Sequence, residues 1–276
     1  MNAFVKSVSA ALLFCGFSCY CSAETVSYTV EIENLWLPET HGTLPMDAHF
    51  SWFGGATHND QVGFWEEGEL ASPAIVQMAE TGATFLLANE IDQAITNGNA
   101  FYHIDERHWF CSPELTHDNC GKLTFQFEAH SDFPLVTLVS MLGPSPDWFV
   151  GVNGLSLTED SNWIDELTVE LYPFDGGTRE NNLFALFGPS TNPQEEVSLI
   201  TDDSGQIITP QLLGRMIFTR MIVLGDINCD TQVNLLDVAP FVELLSSGSF
   251  QSEADLNGDG SVDLLDVQPF VDLLVG

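Results

Sequence analysis

Short stretches of alternating apolar and polar residues recur along the first 224 positions. Residues 26–32 place an apolar side chain at every second position, which predicts a half-buried strand. Further strands are predicted where this alternation or a short apolar run returns, at 49–53, 122–129, 135–142, 149–157, 167–172 and 215–224. Two short helices are predicted between them, at 72–81 and 85–95. Since no βαβ rhythm connects the strands, the pattern predicts a mainly β chain folded as an antiparallel β-sandwich with small helical insertions.

A second pattern occupies the end of the chain, where one loop sequence is written twice. Side chains that carry oxygen stand at positions 1, 3, 5, 9 and 12 of each copy, and position 7 offers a backbone carbonyl. The positions are Asp226, Asn228, Asp230, Gln232, Asn234 and Asp237 in the first copy, and Asp255, Asn257, Asp259, Ser261, Asp263 and Asp266 in the second. This is the ligand spacing of an EF-hand-type calcium loop, because a hard cation takes six or more oxygens. We expect two Ca²⁺ ions in this tail.

The two copies differ at the sixth loop position. Gly260 stands there in the second copy and Thr231 in the first, where the sharp turn favours glycine, so the second loop is expected to be better formed. Each loop precedes an apolar octet with helical spacing. Pro240 and Pro269 are tolerable only in a first helical turn, which predicts helix starts close to Asp237 and its counterpart.

Two calcium loops, each followed by one helix, resemble a dockerin type I domain over residues 225–276. The resemblance implies a cohesin-like partner. With ten acidic residues and no basic one in this small segment, calcium is expected to be a condition of its folding. Loop positions 10 and 11, which take part in recognition in cellulosomal dockerins, are Leu235, Leu236, Leu264 and Leu265 here. These leucines indicate either a different partner or a tail that packs on its own sandwich as an intramolecular calcium clamp.

The charge of the chain and its first residues bear on location. The formal net charge is −34, with six Lys and Arg residues, which argues against nucleic acid or an anionic membrane as a partner. Residues 1–23 predict a secretory signal peptide, whose apolar run is too short to span a membrane. A secreted, extracellular protein of bacterial origin is expected, without membrane insertion, with the sandwich at 24–224 and the calcium-binding tail at 225–276. The alternative is a lipoprotein attached through Cys15, Cys19 or Cys21, and the residues that precede these cysteines disfavour it.

The cysteines outside the signal peptide predict one disulfide. Cys111 and Cys120 lie close together in the sequence, and an oxidising compartment favours a bond between them. Cys229 is then left as either a free thiol or an intermolecular link.

The middle of the chain contains the most specific motifs outside the tail. They are the Pro-Ser-Pro-Asp147-Trp148 turn, the Pro-Phe-Asp175-Gly-Gly-Thr turn and the later Asn-Pro-Gln-Glu195. In order and spacing these motifs resemble the spondin domain, the amino-terminal module of extracellular matrix proteins of the F-spondin and mindin type, over residues 25–224. The resemblance implies an eight-stranded, C2-like sandwich that binds one calcium ion at one end.

A cation site at that end is also reasonable from the residues. Asp147 precedes one predicted strand and Asp175 follows the next, so an antiparallel pairing brings both carboxylates to the same end. The family has a third carboxylate at a position that is Arg179 here, and Glu180 is the neighbour that could replace it. The alternative is that the two aspartates merely cap turns.

Other candidate chemistry is weak. The chain has no nucleophile elbow, His-Glu-x-x-His motif or phosphate-binding glycine loop, so no enzyme is expected. His103 and His108 lie near Asp105 and Glu106, where a polar loop is predicted rather than a metal site.

The leading hypothesis is a secreted adhesion or matrix protein whose sandwich binds an extracellular matrix or cell-surface ligand and whose tail docks to a partner. One alternative is a polysaccharide-acting enzyme on a dockerin scaffold, with an acidic pair and a sugar-stacking Trp52, Trp65 or Trp109. The other is a structural coat protein that calcium stiffens.

Overall fold

The computed structural model describes residues 25–107, 110–111, 121–160, 162–180, 183–200 and 212–275. The chain divides into two compact units, of which one is Ala23–Ile222 and the other includes Val223–Gly276. The first unit is built mainly of antiparallel sheets, and the second contains short helices. The predicted class, mainly β with a small helical C-terminal region, is confirmed.

The strands are β1 (Thr25–Asn34), β2 (His49–Phe50), β3 (Phe53–His58), β4 (Ala100–Glu106), β5 (Phe110–Cys111), β6 (Lys122–His130), β7 (Leu135–Gly143), β8 (Trp148–Ser156), β9 (Thr158–Glu159), β10 (Asn162–Trp163), β11 (Glu166–Leu171), β12 (Phe174–Asp175), β13 (Ser198–Leu199) and β14 (Gly214–Arg220). The helices are α1 (Pro38–His41), α2 (Pro73–Thr81), α3 (Phe85–Thr96), α4 (Val238–Ser247) and α5 (Val267–Val275).

Two large antiparallel sheets and a two-stranded one, β9 with β10, are present in the described part of the first unit. A four-stranded sheet has the order β11-β14-β1-β6, and a larger sheet has the order β13-β12-β8-β7-β2-β5, with β3 and β4 paired beside β7. The hydroxyl of Thr57 on β3 donates to the carbonyl of Glu128 on β6 at 3.0 Å, which ties the sheets together. The helices α2 and α3 bury Ile75, Met78 and Ile91 in a cluster that includes side chains of β7 and β8.

Most predicted strands are present with small shifts of their ends. The alternation at 26–32 is confirmed, since the side chains of Tyr28, Val30 and Ile32 are fully buried. The strand predicted at 49–53 is two strands, because the Ser51 hydroxyl accepts a hydrogen bond from the backbone N–H of Met141 at 2.9 Å and interrupts the ladder. The last strand ends at residue 220 rather than 224.

The polar loop predicted around His103 is wrong. Residues 100–106 form β4, which pairs with β3 in antiparallel register. His103 Nδ1 lies 3.3 Å from a carboxylate oxygen of Asp92 on α3. The strand escaped detection because Ala100 and Ile104 are its buried side chains, so its apolar period is thin.

The second unit contains the two predicted helices, with Pro240 and Pro269 in their first turns as expected. Its core is small and centres on the rings of Phe241 and Phe270, whose centroids are 4.5 Å apart. Ile227 adds a buried side chain from the first loop.

Some predictions concern residues that the structure does not describe. The signal peptide at 1–23 lies outside the described residues, and so does Cys120, so the bond between Cys111 and Cys120 stays a prediction. Cys229 is disulfide-bonded within this single chain, so the free-thiol and intermolecular-link alternatives are both wrong. Its partner is not among the side chains that the structure describes. In the described part of the chain, no helix has the length and apolar character needed to cross a membrane.

Candidate metal centres

The fold brings Asp147 and Asp175 together. Asp147 ends the turn between β7 and β8, where the Ser145 hydroxyl accepts a hydrogen bond from the backbone N–H of Trp148 at 3.0 Å and fixes the turn. Asp175 lies on β12, which pairs with β8 so that Asp175 is opposite Trp148. The two carboxylates therefore meet at one end of the larger sheet.

The Asp147 carboxylate is fully buried, and its two oxygens have different surroundings. Oδ2 accepts hydrogen bonds from the backbone N–H of Thr178 at 2.7 Å, from the backbone N–H of Arg179 at 2.9 Å and from the Thr178 hydroxyl at 3.0 Å. Oδ1 is buried and accepts no hydrogen bond from the described residues. A turn cap explains Oδ2, whereas Oδ1 is left for another partner.

The electrostatics of this pair favour a cation. Burial, followed by the charge of Asp175, raises the pKa of Asp147 to about 6, although hydrogen bonds from Thr178 and Arg179 oppose the shift. Burial also raises the pKa of Asp175, and the charge of Glu195 adds to this rise. A buried and a half-buried carboxylate that repel each other, one of them with an oxygen that lacks a hydrogen bond from the described residues, fit a hard cation such as Ca²⁺.

Arg179, at the position where the resemblance implies a third carboxylate, pairs with a different acidic side chain. Arg179 forms a two-pronged ion pair with Glu80 on α2, in which Nε and Oε1 are 2.9 Å apart. Glu180, the predicted substitute, is exposed. Glu80 was not among the residues predicted from the sequence, and it lies near the end of α2. This helix begins after Ser72, whose hydroxyl accepts a hydrogen bond from the N–H of Ile75, and it ends before Gly82.

Among the described residues, no three His, Cys, Asp or Glu side chains are grouped so that they could hold a metal ion by themselves. A hard cation at the aspartate pair or in a tail loop would therefore depend on mixed oxygen ligands, such as carboxylates with amide, hydroxyl and backbone carbonyl oxygens.

The two tail loops fold in the same way. Asp226 Oδ1 and Oδ2 accept from the backbone N–H groups of Asp230 at 2.9 Å and Thr231 at 2.8 Å. In the second loop, Asp255 Oδ1 and Oδ2 accept from the N–H groups four and five positions later, at 3.1 and 2.9 Å. The loop repeat in the sequence is thus a repeat of structure.

The twelfth loop positions, Asp237 and Asp266, are fully buried. Asp237 accepts from the backbone N–H groups of Asn228 at 3.0 Å and Asn234 at 2.8 Å, which closes the loop onto the start of α4. Asp266 accepts in the same manner from the N–H group of Asp263 at 2.8 Å. In the first loop, Asp237 also lies close enough to Asp226 for its charge to act on that carboxylate.

This tail concentrates negative charge without a basic side chain to balance it, since residues 223–276 contain no Lys, Arg or His. Burial, followed by the charges of Asp237 and Asp230, raises the pKa of Asp226. Buried carboxylates are costly unless they are paired or bind a metal. The ligand types and the charge of both loops fit Ca²⁺.

Loop positions 10 and 11 face solvent in both copies. Leu235 and Leu236 are 79% and 65% exposed, and Leu264 and Leu265 are 81% and 66% exposed. Solvent-exposed leucine pairs at matching positions of a repeat form what we call the leucine patch. Exposed apolar side chains that recur in this way are candidates for a binding site.

Fold and sites together define an antiparallel β-domain with a two-carboxylate centre, followed by a double-loop module of the calcium-binding type. A family model described as Spondin_N matches residues 26–207, and one described as Dockerin type I domain matches residues 224–269. The chain belongs to the spondin N-terminal domain family and continues into a dockerin type I domain. The dockerin match supports calcium in the tail.

Curated relatives match the first unit. Spondin-2 of Rattus norvegicus is 29% identical over 189 residues, which are 67% of this chain and 56% of the relative. Spondin-2 of Homo sapiens is 29% identical over 67% of this chain and 55% of its own length. Spondin-1 of Gallus gallus is 29% identical over 66% of this chain and 23% of its own length. The chain thus spans about half the length of Spondin-2 and about a quarter of Spondin-1.

Proposed function

We propose that this protein is a secreted, non-enzymatic adhesion or matrix-type protein. Its spondin unit binds one cation at Asp147 and Asp175 and an extracellular ligand. Its dockerin unit binds two calcium ions through the loops at 226–237 and 255–266 and docks to a cohesin-like partner. The two family matches and the character of both units support this proposal.

The leucine patch is the observation that supports docking of the dockerin unit to a partner. A core as small as that of the second unit gains stability from every apolar side chain it buries, yet four leucines remain outside it. They stand at the same positions of two repeated loops, so the surface has an approximate two-fold symmetry. A partner with an apolar surface would bury them, and calcium would hold both loops in the conformation that presents them.

Docking is tested by immobilising the full chain and measuring the binding of a purified type I cohesin module, with calcium and with a chelator. We expect calcium-dependent binding that weakens at least about tenfold in the double variant Leu235→Asp/Leu264→Asp, because losing a central interface residue costs roughly 1 to 2 kcal/mol or more. The matched control is Leu186→Asp, which changes a leucine that is 51% exposed in the spondin unit.

Binding that is unchanged in the double variant would contradict docking through the leucine patch. If no cohesin binds although the tail folds with calcium, the docking proposal fails and the intramolecular clamp becomes the better explanation of the tail. The cation sites have separate tests.

A further inference from the structure

Arg179 is tied into the Asp147–Asp175 centre through Glu80. Its guanidinium forms the two-pronged ion pair with Glu80, and one Nη atom also donates to the carbonyl of Gly188 and the hydroxyl of Ser190, both at 3.2 Å. The side chains of Arg179 and Glu80 are 30% and 17% exposed, so water screens the pair only partly.

Thr178 joins this ion pair to the aspartates. Its hydroxyl oxygen lies 2.8 Å from Oε1 of Glu80 and 3.0 Å from Oδ2 of Asp147, so a single atom separates the two carboxylates. A hydroxyl has one proton and can donate to one of the two carboxylates at a time. Each carboxylate therefore relies on further donors or positive charge, and the Arg179 guanidinium supplies both on the Glu80 side.

The charges of the Glu80–Arg179 ion pair and of the aspartate pair act on each other. The pKa of Arg179 is raised, first by its hydrogen bond with Glu80 and also by the charge of Asp147. A cation at the aspartates would be repelled by the guanidinium and attracted by Glu80, and the ion pair cancels most of both effects.

We propose that the Glu80–Arg179 ion pair sets the cation affinity of the Asp147–Asp175 centre, with Arg179 as a resident positive charge that keeps the Glu80 carboxylate from attracting the bound ion. This inference rests on the proposed cation site. The centre then takes a divalent ion weakly in the native chain, and removing the guanidinium charge frees Glu80 and converts it into a stronger site.

The test uses luminescence of Tb³⁺, a calcium analogue, excited through tryptophan in the full chain. Trp148 is the neighbour of Asp147 in sequence and lies opposite Asp175 in the sheet, whereas residues 223–276 contain neither Trp nor Tyr. The part of the signal that Asp147→Asn removes is assigned to the spondin unit. Displacement of Tb³⁺ by Ca²⁺ then gives the affinity for calcium.

We expect Arg179→Gln to bind the ion about tenfold more tightly and Glu80→Gln to bind it about tenfold more weakly. A tenfold change in affinity corresponds to about 1.4 kcal/mol of binding free energy for the one charge removed. Arg179→Lys, which keeps the charge, and the double variant Glu80→Gln/Arg179→Gln should remain close to the native affinity. The control is Arg107→Gln, which removes one positive charge from an exposed ion pair with Asp105. Thermal melts verify that each variant is folded.

An Arg179→Gln variant that is folded and binds the ion no more tightly than the native chain, while Asp147→Asn lowers the signal, would overturn this inference and leave the cation site standing. A signal that Asp147→Asn leaves wholly unchanged would instead remove the cation site and the inference with it. A tenfold gain in Arg107→Gln would also overturn it, because the effect would then follow the net charge of the chain.

Discussion

Asp147 carries a charge in surroundings that satisfy one of its oxygens and leave the other without a hydrogen bond from the described residues. The folded protein without a cation therefore holds a proton on this carboxyl more strongly than the unfolded chain does. The folded pKa is about 6, against an ordinary value of 3.8. An acid whose pKa rises on folding stabilises the folded state below its unfolded pKa, and this contribution is lost as the pH rises through the folded pKa.

We predict that the free energy of unfolding of the spondin unit falls between about pH 4 and pH 6 in the presence of a chelator, and that Asp147→Asn removes much of this fall. The variant should be more stable than the native chain at pH 7 by about 1 to 3 kcal/mol, since the desolvation of an ionised carboxylate is avoided. Urea titrations followed by tryptophan fluorescence report this unit alone, because residues 223–276 lack tryptophan.

The matched control for this measurement is Glu180→Gln, which removes a nearby exposed carboxylate of the same charge. Its pH profile should follow that of the native chain. If Asp147→Asn kept the full pH dependence of the native protein, the buried carboxylate would not be its source.

The calcium loops are the elements in which the two copies can be compared position by position. The fourth and sixth positions of both loops adopt the left-handed backbone region: Gly258 and Gly260 have φ of 73° and 84°, and Cys229 and Thr231 have φ of 57° and 70°. Glycine occupies this region without cost, whereas a β-branched residue is strained there. The two loops thus share one backbone conformation, and the first loop adopts it with more backbone strain.

We predict that Thr231→Gly stabilises the first loop and that the reciprocal Gly260→Thr destabilises the second, each by about 1 kcal/mol. A Cβ added at Gly260 would meet no atom within 4 Å, so the reciprocal variant tests backbone conformation without a steric clash. Calcium titrations followed by circular dichroism at constant protein concentration measure both midpoints. Two variants with unchanged midpoints would show that position 6 carries no strain.

The elements also show what could be predicted from sequence. The paired loops were found because each ligand position is local, within twelve consecutive residues, and the repeat reinforces it. The strand β4 was missed because few of its side chains are buried, and the break after Phe50 depends on a hydroxyl that is bonded across to β7. Periodicity reports burial and is silent on contacts of that kind.

The same distinction between local sequence patterns and contacts of distant residues applies to the candidate sites. Asp147 and Asp175 were identified from turn motifs in a family resemblance, and the pairing of β12 with β8 brings them together. Glu80 could not be identified, since its role depends on where α2 packs and on the direction in which Arg179 points. A local pattern contains neither piece of information.

At the scale of the whole molecule, charge is the dominant property. The chain has 40 Asp and Glu residues against six Lys and Arg residues, and the dockerin unit has no basic residue at all. Such a chain is self-repelling, and divalent cations bound to its most crowded carboxylates relieve the repulsion. Calcium should therefore act on stability in both units, and most strongly in the second, whose apolar core is small.

The most direct test of this account is hydrogen exchange of the full chain, resolved by segment with mass spectrometry, with calcium and with a chelator. At a calcium concentration of about 100 times Kd, bound ions should slow opening of the loops about 100-fold, which corresponds to about 2.7 kcal/mol. We predict that chelation accelerates exchange across residues 226–275 and locally around Asp147 and Asp175, while β1 and β14 keep their protection. Equal protection of residues 226–275 in calcium and in chelator would contradict the account.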